Sequence, residues 1–166
     1  FAGQQLAKMG EKKVTIVFLG DGARKEYLQH QAFKLGLSNI KFLPSVTKDE
    51  VANYWRILDA SVIHLKKDKV FKAVIPSKLF ECMGMGIPVL HGVQGESAEI
   101  VEQNKVGLLF EPENPDELCK AILKLYNDPI LRKEFEKNCR NKVVKFDWKR
   151  KANEMLSIIQ KLGDGQ

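Results

Sequence analysis

The sequence predicts an α/β fold, a Rossmann-like parallel sheet flanked by helices, formed by residues 1–166 as a single domain. Short apolar runs rich in β-branched residues alternate about five times with segments of helical pattern. Strands in this order pair in parallel, because helices supply the crossover connections and cover both faces of the sheet. A length of 166 residues, 44% of them hydrophobic, suits one domain with its own core.

Each predicted strand is a short apolar run closed by a glycine, a proline or a polar turn. The first, residues 14–19, shows little polar alternation, and we expect it to be buried on both faces. Gly20-Asp21-Gly22 ends this strand. The other predicted strands are residues 40–43, 61–65, 87–90 and 106–110.

Residues that start and stop helices separate these strands. Thr47 and Glu50 have the spacing of a capping box and predict a helix that begins there. Pro76 suits the first turn of a helix that breaks at Gly84-Met85-Gly86, and residues 66–75 before it are predicted as a loop. Further helices are predicted after Gly22, from Glu96, from Asn114 or Pro115, from Pro129, and after Phe146-Asp147-Trp148.

The net charge of +6 is consistent with a nucleic-acid partner, an anionic membrane, an anionic ligand or a solvated basic face. Cations concentrate in residues 131–151, on predicted helices without the interleaved aromatic residues that stack on bases. We therefore expect no nucleic-acid partner. Two interpretations of these basic helices remain. They are solvated surfaces, or they make a peripheral contact with a membrane that carries a lipid-linked acceptor.

The sequence indicates a cytoplasmic protein, with membrane association as an option. No apolar run approaches the ~18 residues that a membrane span needs. The three cysteines, Cys82, Cys119 and Cys139, are odd in number and widely spaced, which favours neither zinc nor disulfides and suggests a reducing compartment. The chain begins at Phe1 with residues typical of a helix end, so we expect a fragment whose first strand precedes it.

Four segments follow predicted strands and are therefore candidates for ligand binding, since ligands of open parallel sheets bind beyond the carboxyl ends of the strands. They are Gly20-Asp21-Gly22, Pro44-Ser45-Val46-Thr47, residues 66–78 and residues 92–97. The two glycines of the first segment allow close backbone approach, although the same triplet is common in ordinary turns.

Pro76-Ser77-Lys78 predicts an anion site. Proline at the first helical position leaves the N–H groups of Ser77, Lys78 and Leu79 free, and the helix dipole favours an anion there. Ser77 adds a hydroxyl and Lys78 a positive charge, which together suit a diphosphate. The alternative is an ordinary helix start with a solvated lysine.

Glu81 lies about one helical turn further on, where its carboxylate can accept hydrogen bonds from the two hydroxyls of a ribose. The alternative for a single glutamate on a helix is an ordinary surface residue. His64, at a predicted strand end, can face the cleft, although a hydrogen-bonded core histidine is the more common case. No Ser-His-Asp set and no metal-ligand set emerges.

Taken in order, these segments resemble the C-terminal domain of family 4 glycosyltransferases, which have the GT-B fold. The resemblance covers nearly the whole chain, and the order and spacing of the motifs carry it more than any single one. The matching segments are Phe18-Leu19-Gly20-Asp21-Gly22, Asn39-Ile40-Lys41-Phe42-Leu43-Pro44, Ala60-Ser61-Val62, Pro76-Ser77-Lys78-Leu79-Phe80-Glu81 and its continuation to Leu90, Gly95-Glu96-Ser97-Ala98-Glu99, Val106-Gly107-Leu108-Leu109-Phe110 and Phe146-Asp147-Trp148.

The resemblance implies a donor-binding domain that pairs with an N-terminal acceptor domain of the same protein. Such enzymes move a sugar from a nucleotide-diphosphate donor with retention of configuration, without a divalent metal or another cofactor. A UDP-sugar donor and a polysaccharide or lipid-linked acceptor are expected from the subgroup resemblance. By this resemblance, Glu81 binds the ribose, residues 76–79 take the diphosphate, Gly20-Asp21-Gly22 lines the cleft and the Val46-Thr47 backbone holds the base.

The sequence departs from the family pattern at Ala73, where the first of two motif glutamates, the one that touches the donor sugar, is expected. The form Pro76-Ser77-Lys78-Leu79-Phe80-Glu81 resembles a subgroup that makes bacterial surface polysaccharides and includes amino-sugar transferases. Asp68 and Lys72 are candidates for the sugar contact. The family's arginine and lysine for the leaving diphosphate are expected before Phe1, so we expect this chain alone to bind donor weakly and to be inactive.

Two further classes of function remain open. One is a non-catalytic Rossmann-like module that binds a nucleotide. The other is a nucleic-acid or membrane-surface binder driven by the +6 charge, whose binding would depend steeply on salt.

Overall fold

A computed structural model describes residues 1–10 and 13–163. Its strands are β1 Ile16–Leu19, β2 Ile40–Leu43, β3 Ser61–His64, β4 Val89–Gly92 and β5 Gly107–Leu109. Its α-helices are α1 Ala2–Lys8, α2 Lys25–Lys34, α3 Lys48–Trp55, α4 Ser77–Met85, α5 Glu96–Asn104, α6 Pro115–Asn127, α7 Pro129–Lys142 and α8 Trp148–Gly163. Short 3-10 helices form at Lys69–Ala73 and Val143–Phe146.

The strands pair in parallel throughout the described chain, and helices flank them, which confirms the predicted α/β class. They form two sheets. β1 pairs with β2 in a two-stranded sheet, and the second sheet has the order β3-β4-β5. Strand β4 is therefore the central strand of the second sheet, and its four residues are all buried.

The two-stranded sheet is more open than the sequence predicts. Val17 and Phe18 in the middle of β1 are 38% and 46% exposed, so the expectation that this strand is buried on both faces is wrong. The reason is that β1 pairs with β2 alone in its sheet, and the Phe18 ring stacks on Phe42, 5.1 Å between centroids, at the surface.

The main core lies on both faces of β4, because neighbouring strand residues point to opposite sides. On one face, Val89 packs in a cluster with Leu79 and Met83 of α4 and with Cys139 of α7. On the other face, Leu90 packs in a second cluster, whose other buried members are Phe110, Ala121, Leu125 and Phe135. Helix α4 is therefore seated in the core by its apolar side.

The two-stranded sheet is joined to the rest through α1. Leu6 of α1 is fully buried in a small third cluster with Cys119 of α6, and Ile16 of β1 packs against that cluster. The buried Asn39 side chain donates to the carbonyl oxygen of Gly3 at 2.9 Å and so ties the start of β2 to α1.

Helix α8 is amphipathic, and much of its apolar side is exposed. Trp148, Met155, Ile159 and Leu162 are between 54% and 87% exposed, and the main contact of the helix is with the Val143–Phe146 turn. Within the described ranges, no helix is both long and apolar enough to cross a membrane.

Candidate functional site

Loops that follow strand carboxyl ends carry the predicted site residues, in two groups. The Gly20-Asp21-Gly22 turn and the Val46-Thr47 corner follow β1 and β2, whose ends are joined by the bond from the Gly20 N–H to the Leu43 carbonyl at 3.3 Å. The residues of α4 form the other group. Among the described residues, no hydrogen bond or ion pair joins the first group to the second.

The start of α4 differs from the prediction in two details. Pro76 is the N-cap, with φ −63° and ψ 128°, and the helix begins at Ser77. The expectation that the Leu79 N–H is free is wrong, because it donates to the Pro76 carbonyl at 3.0 Å, and the Leu79 side chain is fully buried. The backbone donors left for an anion are those of Ser77 and Lys78.

Polar side chains gather on the exposed side of the first turns of α4. The Ser77 hydroxyl donates to the Glu81 carboxylate at 3.3 Å, and both residues are exposed, as is Lys78. A hydroxyl and a carboxylate therefore lie together on a helix whose opposite side is fixed in the core, and the exposed Lys78 belongs to the same first turns. The structure thus brings Ser77 and Glu81 together.

The Gly20-Asp21-Gly22 turn is held by a lysine that the sequence patterns did not single out. The Lys25 ammonium donates to the carbonyl oxygens of Gly20 at 2.7 Å and Leu43 at 3.1 Å, so it joins the ends of β1 and β2. Gly20 has φ 121°, a conformation that favours glycine. The sequence offered one signal for this role: Lys25 is a cation in the first turn of α2, where acidic residues are usually favoured.

Thr47 is the N-cap of α3, and the predicted capping box is confirmed. The Glu50 N–H donates to the Thr47 hydroxyl at 3.3 Å, and the Thr47 N–H donates to the Glu50 carboxylate at 3.0 Å. The bonds that the Thr47 N–H and hydroxyl donate to the Glu50 carboxylate hold the pKa of Glu50 below its usual value. Because the Thr47 N–H is occupied, the peptide groups of Val46 are the candidates for contact with a base.

The predicted loop before α4 contains the Lys69–Ala73 helical turn. The Asp68 carboxylate, one of the two candidates for a sugar contact, accepts from the Val70 N–H at 3.0 Å and so caps this turn. The other candidate, Lys72, is exposed, as is Ala73. Within the described chain, no set of three or more His, Cys, Asp or Glu side chains could hold a metal ion.

A buried pair beside the β4–α5 loop was missed by sequence reasoning. His91 and Ser97 are fully buried, and the Ser97 hydroxyl lies 2.8 Å from His91 Nε2, while Nδ1 has no hydrogen-bond partner. Burial lowers the pKa of His91 to about 4, so the ring is neutral at pH 7. This pair therefore joins β4 to the first turn of α5, on either side of the loop between them.

The chain resembles known glycosyltransferases over most of its length. The family described as "Glycosyl transferases group 1" matches residues 2–142. An uncharacterized glycosyltransferase of Methanocaldococcus jannaschii is 29% identical over 146 residues, which cover 88% of this chain and 40% of that protein. A D-inositol 3-phosphate glycosyltransferase of Streptomyces bingchenggensis is 27% identical over 131 residues, 78% of this chain and 28% of that protein.

A solved structure shows the same fold. The Anabaena protein HepE, solved in complex with UDP-glucose, superposes with a TM-score of 0.77 at 20% identity, covering 96% of this chain and 44% of that one. The chain spans about 40% of the length of the first curated relatives it matches. On the family match over residues 2–142, the chain belongs to the glycosyl transferases group 1 family, and its fold is that of a domain of GT-B glycosyltransferases.

Proposed function

We propose that the chain is the donor-binding domain of a retaining glycosyltransferase of family 4. In this proposal the full protein moves a sugar from a UDP-sugar to a polysaccharide or lipid-linked acceptor, without a metal ion. The observation that carries it is the start of α4, where Ser77, Lys78 and Glu81 lie on the exposed side of a helix fixed in the core.

The helix start suits the diphosphate of a nucleotide donor. The N–H groups of Ser77 and Lys78 lie at the positive end of the helix dipole, and the exposed Lys78 ammonium adds a full charge. In the transfer step, this positive end would stabilise the charge that develops on the departing diphosphate.

Glu81 is proposed to bind the ribose. Its carboxylate is exposed and already accepts one hydrogen bond from Ser77, so its remaining acceptor sites can take the two neighbouring ribose hydroxyls. The base would then reach the peptide groups of Val46, beside the Gly20-Asp21-Gly22 turn. UDP is favoured because the fold neighbour HepE was solved with UDP-glucose.

The remaining parts of the reaction belong to the rest of a longer protein in this proposal. The chain covers 40% of its Methanocaldococcus relative, which leaves room for an acceptor-binding domain of similar size. The donor sugar is proposed to be a hexose or an amino sugar, as in surface-polysaccharide synthesis. The basic surface of residues 131–151 would face a membrane that carries a lipid-linked acceptor, with the protein itself in the cytoplasm.

Replacing Glu81 by glutamine is expected to weaken UDP binding by about 1–3 kcal/mol, the range for a lost hydrogen bond to a charged group. Calorimetry of the purified chain with UDP measures this change. Glu102→Gln is the matched control, because Glu102 is an exposed glutamate on the neighbouring α5. Equal affinities of the Glu81 variant and the unchanged protein would remove Glu81 from the ribose role.

A thermal-shift panel on the full-length protein tests the proposed class of donor. UDP-glucose, UDP-N-acetylglucosamine, GDP-mannose and ADP-glucose are compared at two salt concentrations, and a uridine donor is expected to stabilise most with little dependence on salt. Stabilisation by none of the four would refute the nucleotide-sugar proposal. A polyanion is added to the same panel. If it alone raises the melting temperature, and the rise disappears at the higher salt concentration, the result would instead support a charge-driven binder.

A further inference from the structure

The loop that connects β3 to α4, residues 65–76, is held from two sides by residues distant in sequence. On one side lies Gly95, in the loop after β4. On the other lies the turn Glu111-Pro112-Glu113, after β5. We call these two contacts together the brace. The loop matters because it leads directly into Ser77 and carries Lys72, a candidate for the sugar contact, and Ala73, where the family resemblance implies that contact.

Gly95 contacts the loop through its backbone. A Cβ atom added at Gly95 would lie 2.1 Å from the Lys72 carbonyl oxygen, far inside any permitted contact. Gly95 also has φ 81°, in the region that side chains rarely adopt. A residue other than glycine would therefore displace the peptide between Lys72 and Ala73.

Glu113 holds the other end of the loop. Its carboxylate accepts from the Lys67 N–H at 3.1 Å, and its own N–H donates to His64 Nε2 at 3.0 Å. Glu113 has φ 62°, a left-handed conformation that is unfavourable for glutamate and persists only where surrounding contacts enforce it. The strand-end His64, expected in the core or the cleft, is exposed and serves as the acceptor for this turn.

Glu111 adds an ion pair and an amide contact. Its carboxylate lies 2.7 Å from the Lys67 ammonium and accepts from the Gln94 amide at 3.1 and 3.2 Å. The bonds from Lys67 and Gln94 hold the pKa of Glu111 below its usual value. Since Gln94 precedes Gly95, this single carboxylate links the loop after β3 with the loop after β4.

The Phe110 ring packs closely against the strand ends beside these polar contacts. The His64 ring stacks on Phe110 with 5.9 Å between centroids, and a Cβ at Gly92 would lie 2.4 Å from the Phe110 ring. Phe110 therefore fills the space between the ends of β3 and β4, directly before the Glu111-Pro112-Glu113 turn.

We infer that the brace positions the β3–α4 loop for the donor sugar, and that Gly95, Glu111 and Glu113 are positioning residues of the proposed reaction. This inference rests on the proposed function. An exposed loop with four lysines would otherwise lose conformational entropy each time a donor binds. A loop ordered in advance avoids that cost and keeps the sugar aligned with the diphosphate site on α4.

Glu113→Ala tests the inference, with Glu113→Gln as the conservative variant that keeps an acceptor for Lys67 and with Glu102→Ala as the surface control. Hydrogen exchange of residues 65–76 reports the order of the loop, and calorimetry compares UDP with UDP-glucose and UDP-N-acetylglucosamine. We expect Glu113→Ala to exchange faster in the loop. Its affinity for the tighter UDP-sugar should fall about 5-fold more than its affinity for UDP. Glu113→Gln should restore both.

The outcomes separate the two proposals. Unaltered loop exchange in Glu113→Ala, or equal losses for UDP and both UDP-sugars, would overturn the positioning role while leaving nucleotide binding intact. No binding of UDP to the unmodified full-length protein would instead overturn the proposed function, and the positioning role with it. Gly95→Ala, read by hydrogen exchange of the same loop, is the second variant, and unchanged exchange there would also count against the brace.

Discussion

Replacing Leu79 by alanine is expected to lower the free energy of unfolding by about 2–5 kcal/mol, the range for truncating a leucine in a packed core. Leu79 is fully buried in the main cluster with Met83, Val89 and Cys139. It also lies on α4 between Ser77 and Glu81, so the cavity would lie directly beneath the candidate site. Urea unfolding followed by circular dichroism measures the loss.

Leu79→Met is the matched control, because it nearly conserves volume and should cost less than about 1.5 kcal/mol. The alanine variant should also bind UDP more weakly at temperatures where it remains folded, since α4 loses part of its support. A cost below about 1 kcal/mol for Leu79→Ala would show that α4 is not seated as described.

Acidification from pH 7 to pH 4 is expected to destabilise the protein by up to about 3 kcal/mol through His91 alone. The pKa of His91 is about 4 in the folded state, against 6.5 for the ordinary group. Between these values the unfolded chain binds a proton that the folded protein does not. The stability is therefore complete above pH 6.5 and is lost progressively as the pH falls towards 4.

Urea unfolding at pH 7, 5.5 and 4.5 gives the slope, and His91→Gln provides the comparison, since glutamine can still bond Ser97 but does not titrate. Carboxylates add to the acid sensitivity of both proteins, so the difference between the two slopes is the quantity of interest. Parallel slopes for the two proteins would contradict a neutral, buried His91.

The sequence predicted the elements whose signals are local. Strand Ile40–Leu43 has its predicted bounds, helix Glu96–Asn104 begins at the predicted residue, and the Thr47 capping box is present. The polar cluster at Ser77 and Glu81 follows from helical spacing. Each of these features depends on residues within a few positions of one another, where propensity and periodicity apply.

Features that depend on distant pairs escaped the sequence. The bond between Glu113 and His64 joins residues 49 positions apart, and no pattern marks either as a partner. A left-handed glutamate contradicts propensity, because tertiary contacts enforce the conformation. The division into two sheets likewise depends on which strands pair, and alternation of strands and helices does not specify that.

That division separates the candidate site between two parts of the molecule. Gly20-Asp21-Gly22 and Val46 lie on the two-stranded sheet, while Ser77 and Glu81 belong to the three-stranded part. Parts that pack against each other through small clusters, as here through α1, can open at different free energies. A nucleotide that contacts both parts would hold the less stable part against the other. At a concentration of about 100 Kd, it would add about 2.7 kcal/mol to the free energy of unfolding. The protein would then unfold as two cooperative units without the nucleotide and as one with it.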